Sequence, residues 1–198
     1  MKIEMATLSS LDTHLLLGSA ISPRPVVLIT TIGKDGVYNA APYSAVTSVS
    51  RKPPLICVSI RLRDGKKKHT LENMEFSGDF VVNVLDDSLL KPALKTSGDY
   101  PSDVSEIEEA GLTAIEADQV ESPLIGEAQV SMECKLVKTV EFGEGPELQS
   151  IIFGEVVLAH VKDAILDNGK LDPSKMATVG RVGNGVYCRT NDIIRLKG

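Results

Sequence analysis

The segment Ser22–Ser50, SPRPVVLITTIGKDGVYNAAPYSAVTSVS, constrains the fold more than any other part of the chain. Val26–Ile32 is a short β-branched run, and Gly33-Lys34-Asp35-Gly36 ends it with a strong hairpin-turn signal. Val37–Ala41 is then the returning strand, and a polar, hydroxyl-rich loop follows as far as Pro53-Pro54. Leu55–Ile60 and Phe80–Leu85 read as two more strands. Ala128–Phe142 and Leu148–Val161 are long β-rich runs joined by Gly143-Glu144-Gly145-Pro146, a second hairpin, and Asn168-Gly169 marks a further turn. Tyr187–Leu196 reads as the last strand. Many short strands with tight turns and few helices predict a mainly β chain with short helices, closed as an antiparallel barrel.

The helical signals are short. Lys68–Phe76 places Leu71, Met74 and Glu75 at helical spacing, and Ser77-Gly78-Asp79 stops it. Ser88–Thr96 tolerates Pro92 because the proline falls near the first turn. Asp99–Glu121 is acidic, with helix-like pieces around Ser102–Ala110, and Pro173–Ala177 reads as a short helical piece. The reading is one domain over 1–198, with residues 1–21 as an N-terminal extension and 86–125 as an excursion over the barrel.

Tryptophan is absent and aromatics make up 4%, so the core is aliphatic. A net charge of −6 argues against a nucleic-acid binder, which needs a basic surface. The local cluster Lys66-Lys67-Lys68 suits one small phosphate, or a solvated loop. No apolar run approaches the roughly 18 residues of a membrane span. The N-terminus lacks the basic start and apolar core of a signal peptide. Cys57, Cys134 and Cys188 are widely spaced, as expected of reduced thiols in a cytoplasmic protein, and Cys57 and Cys134 lie in apolar runs that suggest buried packing.

The chemistry is first narrowed by exclusion. Gly180-Arg181-Val182-Gly183-Asn184-Gly185 has the wrong order for a dinucleotide fingerprint and bridges no strand and helix. His14, His69 and His160 stand apart from one another and from the cysteines, so no metal constellation is expected. No nucleophile elbow of the GxSxG type occurs. What remains suits a flavin. A phosphate wants cations, hydroxyls and free amides near a helix start, which Ser59, Arg61 and Lys68-His69-Thr70 supply. An isoalloxazine ring needs polar donors along one edge and an apolar surface on its face. Thr30-Thr31 and Asn39-Ala40-Ala41-Pro42-Tyr43-Ser44 offer both.

In this order, Pro23-Arg24-Pro25-Val26, Thr30-Thr31, Asn39–Ser44, Pro53-Pro54, Ser59 and Lys68-His69-Thr70 resemble the flavin reductase-like family, the FMN-binding split β-barrels. Gly78-Asp79-Phe80-Val81-Val82-Asn83, Ala110-Gly111-Leu112-Thr113, Gly154-Glu155-Val156 with His160, and Val179-Gly180-Arg181 with Tyr187, Arg189 and Thr190 extend the likeness to nearly the whole chain. The resemblance implies an antiparallel split barrel holding FMN at a homodimer interface. It implies Thr30, Ala41, Tyr43 and Ser44 around the ring and ribityl chain, and Ser59, Arg61, Lys68 and Thr70 on the phosphate. Arg24, Thr31, Asn39, Pro42, Ile60, His69 and Arg181 complete the cofactor-binding set, with Arg24 alternatively pairing with an acid across the barrel and His69 alternatively facing solvent at the helix start. His69 stands where the family often has Asp. His160 matches a family histidine near the flavin or nicotinamide, and is either a proton handler or a structural histidine.

The implied activity is hydride transfer from NADH or NADPH to FMN. Two other readings stay open. One is a flavoredoxin-like electron carrier docking to a protein redox partner through its acidic surface. The other is a plain binding module, because fold does not settle function.

Overall fold

The computed structural model describes residues 1–196. Its strands are β1 (Arg24–Pro25), β2 (Val27–Ile32), β3 (Tyr38–Tyr43), β4 (Val46–Arg51), β5 (Pro54–Arg61), β6 (Asp79–Val84), β7 (Ala114–Ile115), β8 (Leu124–Ile125), β9 (Val130–Phe142), β10 (Gln149–Val161), β11 (Leu166–Asp167), β12 (Lys170–Leu171), β13 (Val179–Gly183) and β14 (Val186–Arg189). The helices are α1 (Ser10–Ala20), α2 (His69–Ser77), α3 (Leu90–Lys95) and α4 (Glu106–Glu109).

The main sheet runs β3–β2–β6–β9–β10–β5–β4, with every pairing antiparallel. The β2–β3 turn forms as the sequence demands. Gly36 N–H donates to Gly33 O and Gly33 N–H to Val37 O, both at 2.9 Å, and Gly36 takes φ +77°. β3 and β4 follow one another in the chain yet lie at opposite edges of the sheet. The barrel is therefore split, not closed. Pro42 removes a donor from the β3 edge, and the Ala45 carbonyl accepts the Ser59 amide, so the corner between the two strands carries no ladder.

β2 is buried along almost its whole length because both of its faces are covered. Val27 and Ile29 point inward with Tyr43, Ile56, Val58, Ile60, Phe80, Val82, Cys134 and Ile152. α2 adds Leu71 and Met74 to the same interior and ends at Gly78, whose φ of +75° is the left-handed C-cap. Val26 and Leu28 point outward into a second core with Leu85, Leu89, Ala93, Ile107, Leu112, Ile125 and Val179. The 86–125 excursion is thus pinned by an apolar face. Gly154 leaves room for Phe80, whose Cζ lies 2.4 Å from where a Cβ would stand.

Several expectations need revising. Val46–Arg51 is an edge strand and not a loop. The helix expected over Ser88–Thr96 covers Leu90–Lys95, the pieces around Ser102–Ala110 reduce to Glu106–Glu109, and Pro173–Ala177 forms only a turn. The terminal strand stops at Arg189. Cys134 is fully buried, whereas Cys57 is only half-buried because it alternates to the outer face between Ile56 and Val58. The N-terminal extension contains α1, capped by Ser9 Oγ on the Asp12 amide at 3.0 Å, with no buried residue. Among the described residues no helix is long and apolar enough to cross a membrane.

Candidate functional site

The split between β3 and β4 opens onto two clefts that share Pro42 and Lys68 as their common wall. The first, of 390 Å³, is lined by Pro42–Ala45 from the corner, Ser59 and Arg61 from β5, Gln149, Lys68, Arg24 and Arg181. α1 supplies its remaining wall with His14, Leu17, Gly18 and Ile21, one helical stripe. Four of these side chains are permanent cations and none is a carboxylate. Among the described residues no ion pair involves Arg24, Arg61, Lys68 or Arg181. In a chain of net charge −6 that concentration is suited to an anion.

The second cleft, of 320 Å³, lies over the N-terminus of α2. Asn39, Ala41, Arg63, Asp64, Lys66–Thr70, Thr96–Tyr100 and Glu106 line it. Lys68 is the N-cap residue and has no side-chain oxygen to offer, so the first amides of α2 are left without a side-chain cap. Some charge here is already paired: Lys67 with Glu75 at 2.7 Å and Arg63 with Asp99 at 3.1 Å. Arg63 also donates to the Ser97 carbonyl, fastening the excursion loop over the cleft.

Lys68 is the hinge of the arrangement. Its Nζ stands 5.5 Å from the Tyr43 ring centroid, a cation–π distance. Burial, then Arg63 and Arg61, holds its ammonium below the usual lysine value. The Tyr43 hydroxyl is buried without a hydrogen-bond partner, and burial pushes the phenol up to about 12. Behind this wall, the Asn39 amide lies 3.1 Å from Glu106 Oε1, 3.1 Å from the Thr31 hydroxyl and 3.2 Å from that of Thr70. Donating to the carboxylate while accepting from both hydroxyls satisfies every group. Glu106 Oε2 also accepts the Ala40 amide at 3.1 Å, and burial raises its carboxyl above the usual range.

The structure brings Arg24, Pro42, Tyr43, Ser44, Ser59, Arg61, Lys68 and Arg181 to the first cleft, and Asn39, Ala41, His69 and Thr70 to the second. Four of the sequence-derived candidates, Thr30, Thr31, Ile60 and His160, are placed elsewhere. Thr30 is fully buried and donates to the Pro123 carbonyl at 2.5 Å; Thr31 is buried among Asn39 and Asn73; Ile60 fills the barrel interior. His160 lies on β10 eleven residues beyond Gln149, about 36 Å along the strand at roughly 3.3 Å per residue. There Nε2 contacts the fully buried Glu133 at 2.5 Å, and Glu133 accepts the Asp118 and Gln119 amides at 3.0 and 2.6 Å. Asp118, Glu133 and His160 thus converge although their spacing in sequence shows nothing. Sequence reading also passed over His14, Arg63, Glu106 and Gln149. The stripe of His14, Leu17, Gly18 and Ile21 was the available signal for the first.

Residues 19–178 match the model of the flavin reductase like domain. The chain belongs to that family. Its structure superposes on nitrilotriacetate monooxygenase component B from Bacillus cereus with a TM-score of 0.94, at 32% identity over 99% of this chain and 98% of the other. The 2-nitrobenzoate 2-nitroreductase of Pseudomonas fluorescens gives 0.87 at 30% identity, covering 100% and 96%. A protein of Aquifex aeolicus is 37% identical over 92% of each chain. Split-barrel architecture and flavin-linked oxidoreductase chemistry go with this membership.

Proposed function

We propose that this member of the flavin reductase like family is an NAD(P)H-dependent reductase that binds FMN at the wall shared by the two clefts. The observation that carries this reading is an acid-free cationic cleft beside a helix start that lacks a side-chain cap. The residues fit a phosphorylated flavin. Lys68, Arg61 and the Ser59 hydroxyl offer charge-assisted contacts to a phosphate, and the first α2 amides add neutral donors. Pro42 and Tyr43 give an apolar surface, and the Ser44 hydroxyl a polar edge. When bound, the flavin supplies the two-electron chemistry, taking hydride from a nicotinamide and passing electrons onward. The protein's part is to neutralise the phosphate, orient the ring and exclude water. We assign His160 a structural role: it tethers β10, through Glu133, to the Asp118–Gln119 segment.

We further propose a homodimer. The outer face of β5, β9 and β10 carries Leu55, Cys57, Val140, Phe142, Ile151 and Phe153, with Phe142 63% exposed. This apolar patch continues into Ser59, Arg61 and Gln149 of the first cleft, so a second copy seated there would border the flavin. Phe153→Asp is expected to give a monomer by light scattering with weakened FMN retention.

The deciding experiment is the visible spectrum after FMN addition and desalting, followed by anaerobic NADH or NADPH. Retained colour that bleaches with nicotinamide supports the reductase. Bleaching only with dithionite or a protein donor replaces it with the electron carrier. If colour is lost, turnover with excess FMN decides, and neither binding nor turnover removes the flavin reading.

A further inference from the structure

FMN carries one phosphate, and Lys68, Arg61, Ser59 and the α2 start suffice for it. Three cleft groups are left over: Arg24 on β1, Arg181 on β13 and His14 on α1. Arg24 and Arg181 are direct cross-strand partners in the β1–β13 pairing. Like charges in that position repel and destabilise a sheet, and among the described residues no carboxylate lines the cleft to offset them. Arg24 Nε is buried without a hydrogen-bond partner. Arg181 Nε donates to the Gly183 carbonyl at 3.2 Å, which fixes the direction of its guanidinium. α1 approaches so closely because residue 18 is glycine: a Cβ there would stand 3.2 Å from Arg24 Nη2. Burial and the arginines Arg61, Arg24 and Arg181 hold the His14 imidazole below its usual value, an effect that an anion between them would reverse.

We propose that Arg24, Arg181 and His14 form a second phosphate site that receives the 2′-phosphate of NADPH, making this protein selective for NADPH over NADH. The proposal rests on the reductase reading for its ligand. Two guanidinium forks, that of Arg181 held in direction by the Gly183 carbonyl, match a phosphomonoester dianion in charge. NADH carries no such group. The site is built from α1, β1 and β13, none of which contributes to the α2 phosphate position, and it opens into the same cleft as Pro42–Ala45. A nicotinamide reacting beside that wall would leave its adenosine end within the reach of the cleft's far side.

The test is isothermal titration of the protein with adenosine 2′,5′-bisphosphate and with 5′-AMP, in phosphate-free buffer. The expected result is at least roughly tenfold tighter binding of the bisphosphate, because one charge-assisted contact is worth about that much. Arg181→Gln and Arg24→Gln should each abolish the discrimination, and Arg181→Lys, which keeps the charge and loses the fork, should retain part of it. Thermal unfolding of each variant checks that it is folded. Equal binding of both nucleotides by the wild-type protein overturns the proposal, as does discrimination that survives in both Gln variants. FMN affinity is measured in parallel: if the Gln variants lose FMN instead, the pair holds the flavin phosphate and the proposal fails. Absence of FMN binding by the wild-type protein would defeat the reductase reading separately, with the nucleotide comparison still readable.

Discussion

Two polar regions of this molecule are built on opposite rules. Around β6 and β9 every buried polar group is answered. Asp79 accepts the Glu121 and Ser122 amides and the Ser122 hydroxyl, Asn83 bonds the Leu28 carbonyl, the Ile125 amide and the hydroxyls of Thr30 and Ser131, and Glu133 accepts two amides and faces His160. In the first cleft at the split in the barrel, cations gather without acids and one guanidinium nitrogen is orphaned. A folded chain rarely leaves charge unanswered, because desolvating it is costly. The first region is therefore architecture, tying the 86–125 excursion to the barrel, and the second is the one we propose takes its partner from outside.

The contrast makes different variants fail in different ways. The largest effect belongs to Glu133→Ala, which leaves two amides and His160 facing a cavity. Urea unfolding should show a loss of about 3–5 kcal/mol; a loss under 1 kcal/mol would mean that this network is not structural. Next comes Lys68→Met. It should weaken FMN binding at least roughly tenfold while the unfolding midpoint barely moves; a large drop in stability with intact FMN affinity would reverse the assignment of the two regions.

A pH titration separates them further. Burial alone would raise the Glu133 carboxyl, but the contact with His160 and the two amides outweigh it and hold it below its ordinary 4.5. A group depressed in the folded state stabilises fully above its ordinary value, and that contribution disappears as pH falls through the lower folded one. Stability should thus sag below pH 4.5, and Glu133→Gln should show a shallower acid slope. The smallest effect is expected of Arg181→Gln in phosphate-free buffer. Removing one of two opposed arginines should raise stability by about 0.2–1 kcal/mol, and added phosphate should stabilise the wild-type protein more than the variant, which keeps the Lys68–Arg61 position.

Much of this architecture was legible because it is local. The Gly33–Gly36 turn, the long β9–β10 pair and the stop at Gly78 are written in neighbouring residues. So was part of the lining of the first cleft, since Ser59, Arg61 and Lys68 lie within ten residues of one another. What escaped was decided by alternation and by distance. Thr30 and Ile60 point into the molecule because strand parity sends them there, and parity depends on which face the rest of the fold covers. His160 could be recognised as a polar residue in a strand, but its partner Glu133 comes from another strand and the amides from a loop 41–42 residues upstream. The convergence of His14 and Arg24 with Arg181 joins segments near the two ends of the chain, and no spacing announces it.

The bond between the Glu106 carboxylate and the Ala40 amide has a consequence beyond the site. A split barrel must end in two open strands, and an open strand is a template on which another chain can grow. Here α4 lies along β3, so one of the sheet's two rims is sealed by a side chain from the acidic excursion. A truncation that removed the excursion would therefore bare this rim, and its first symptom would be self-association and insolubility.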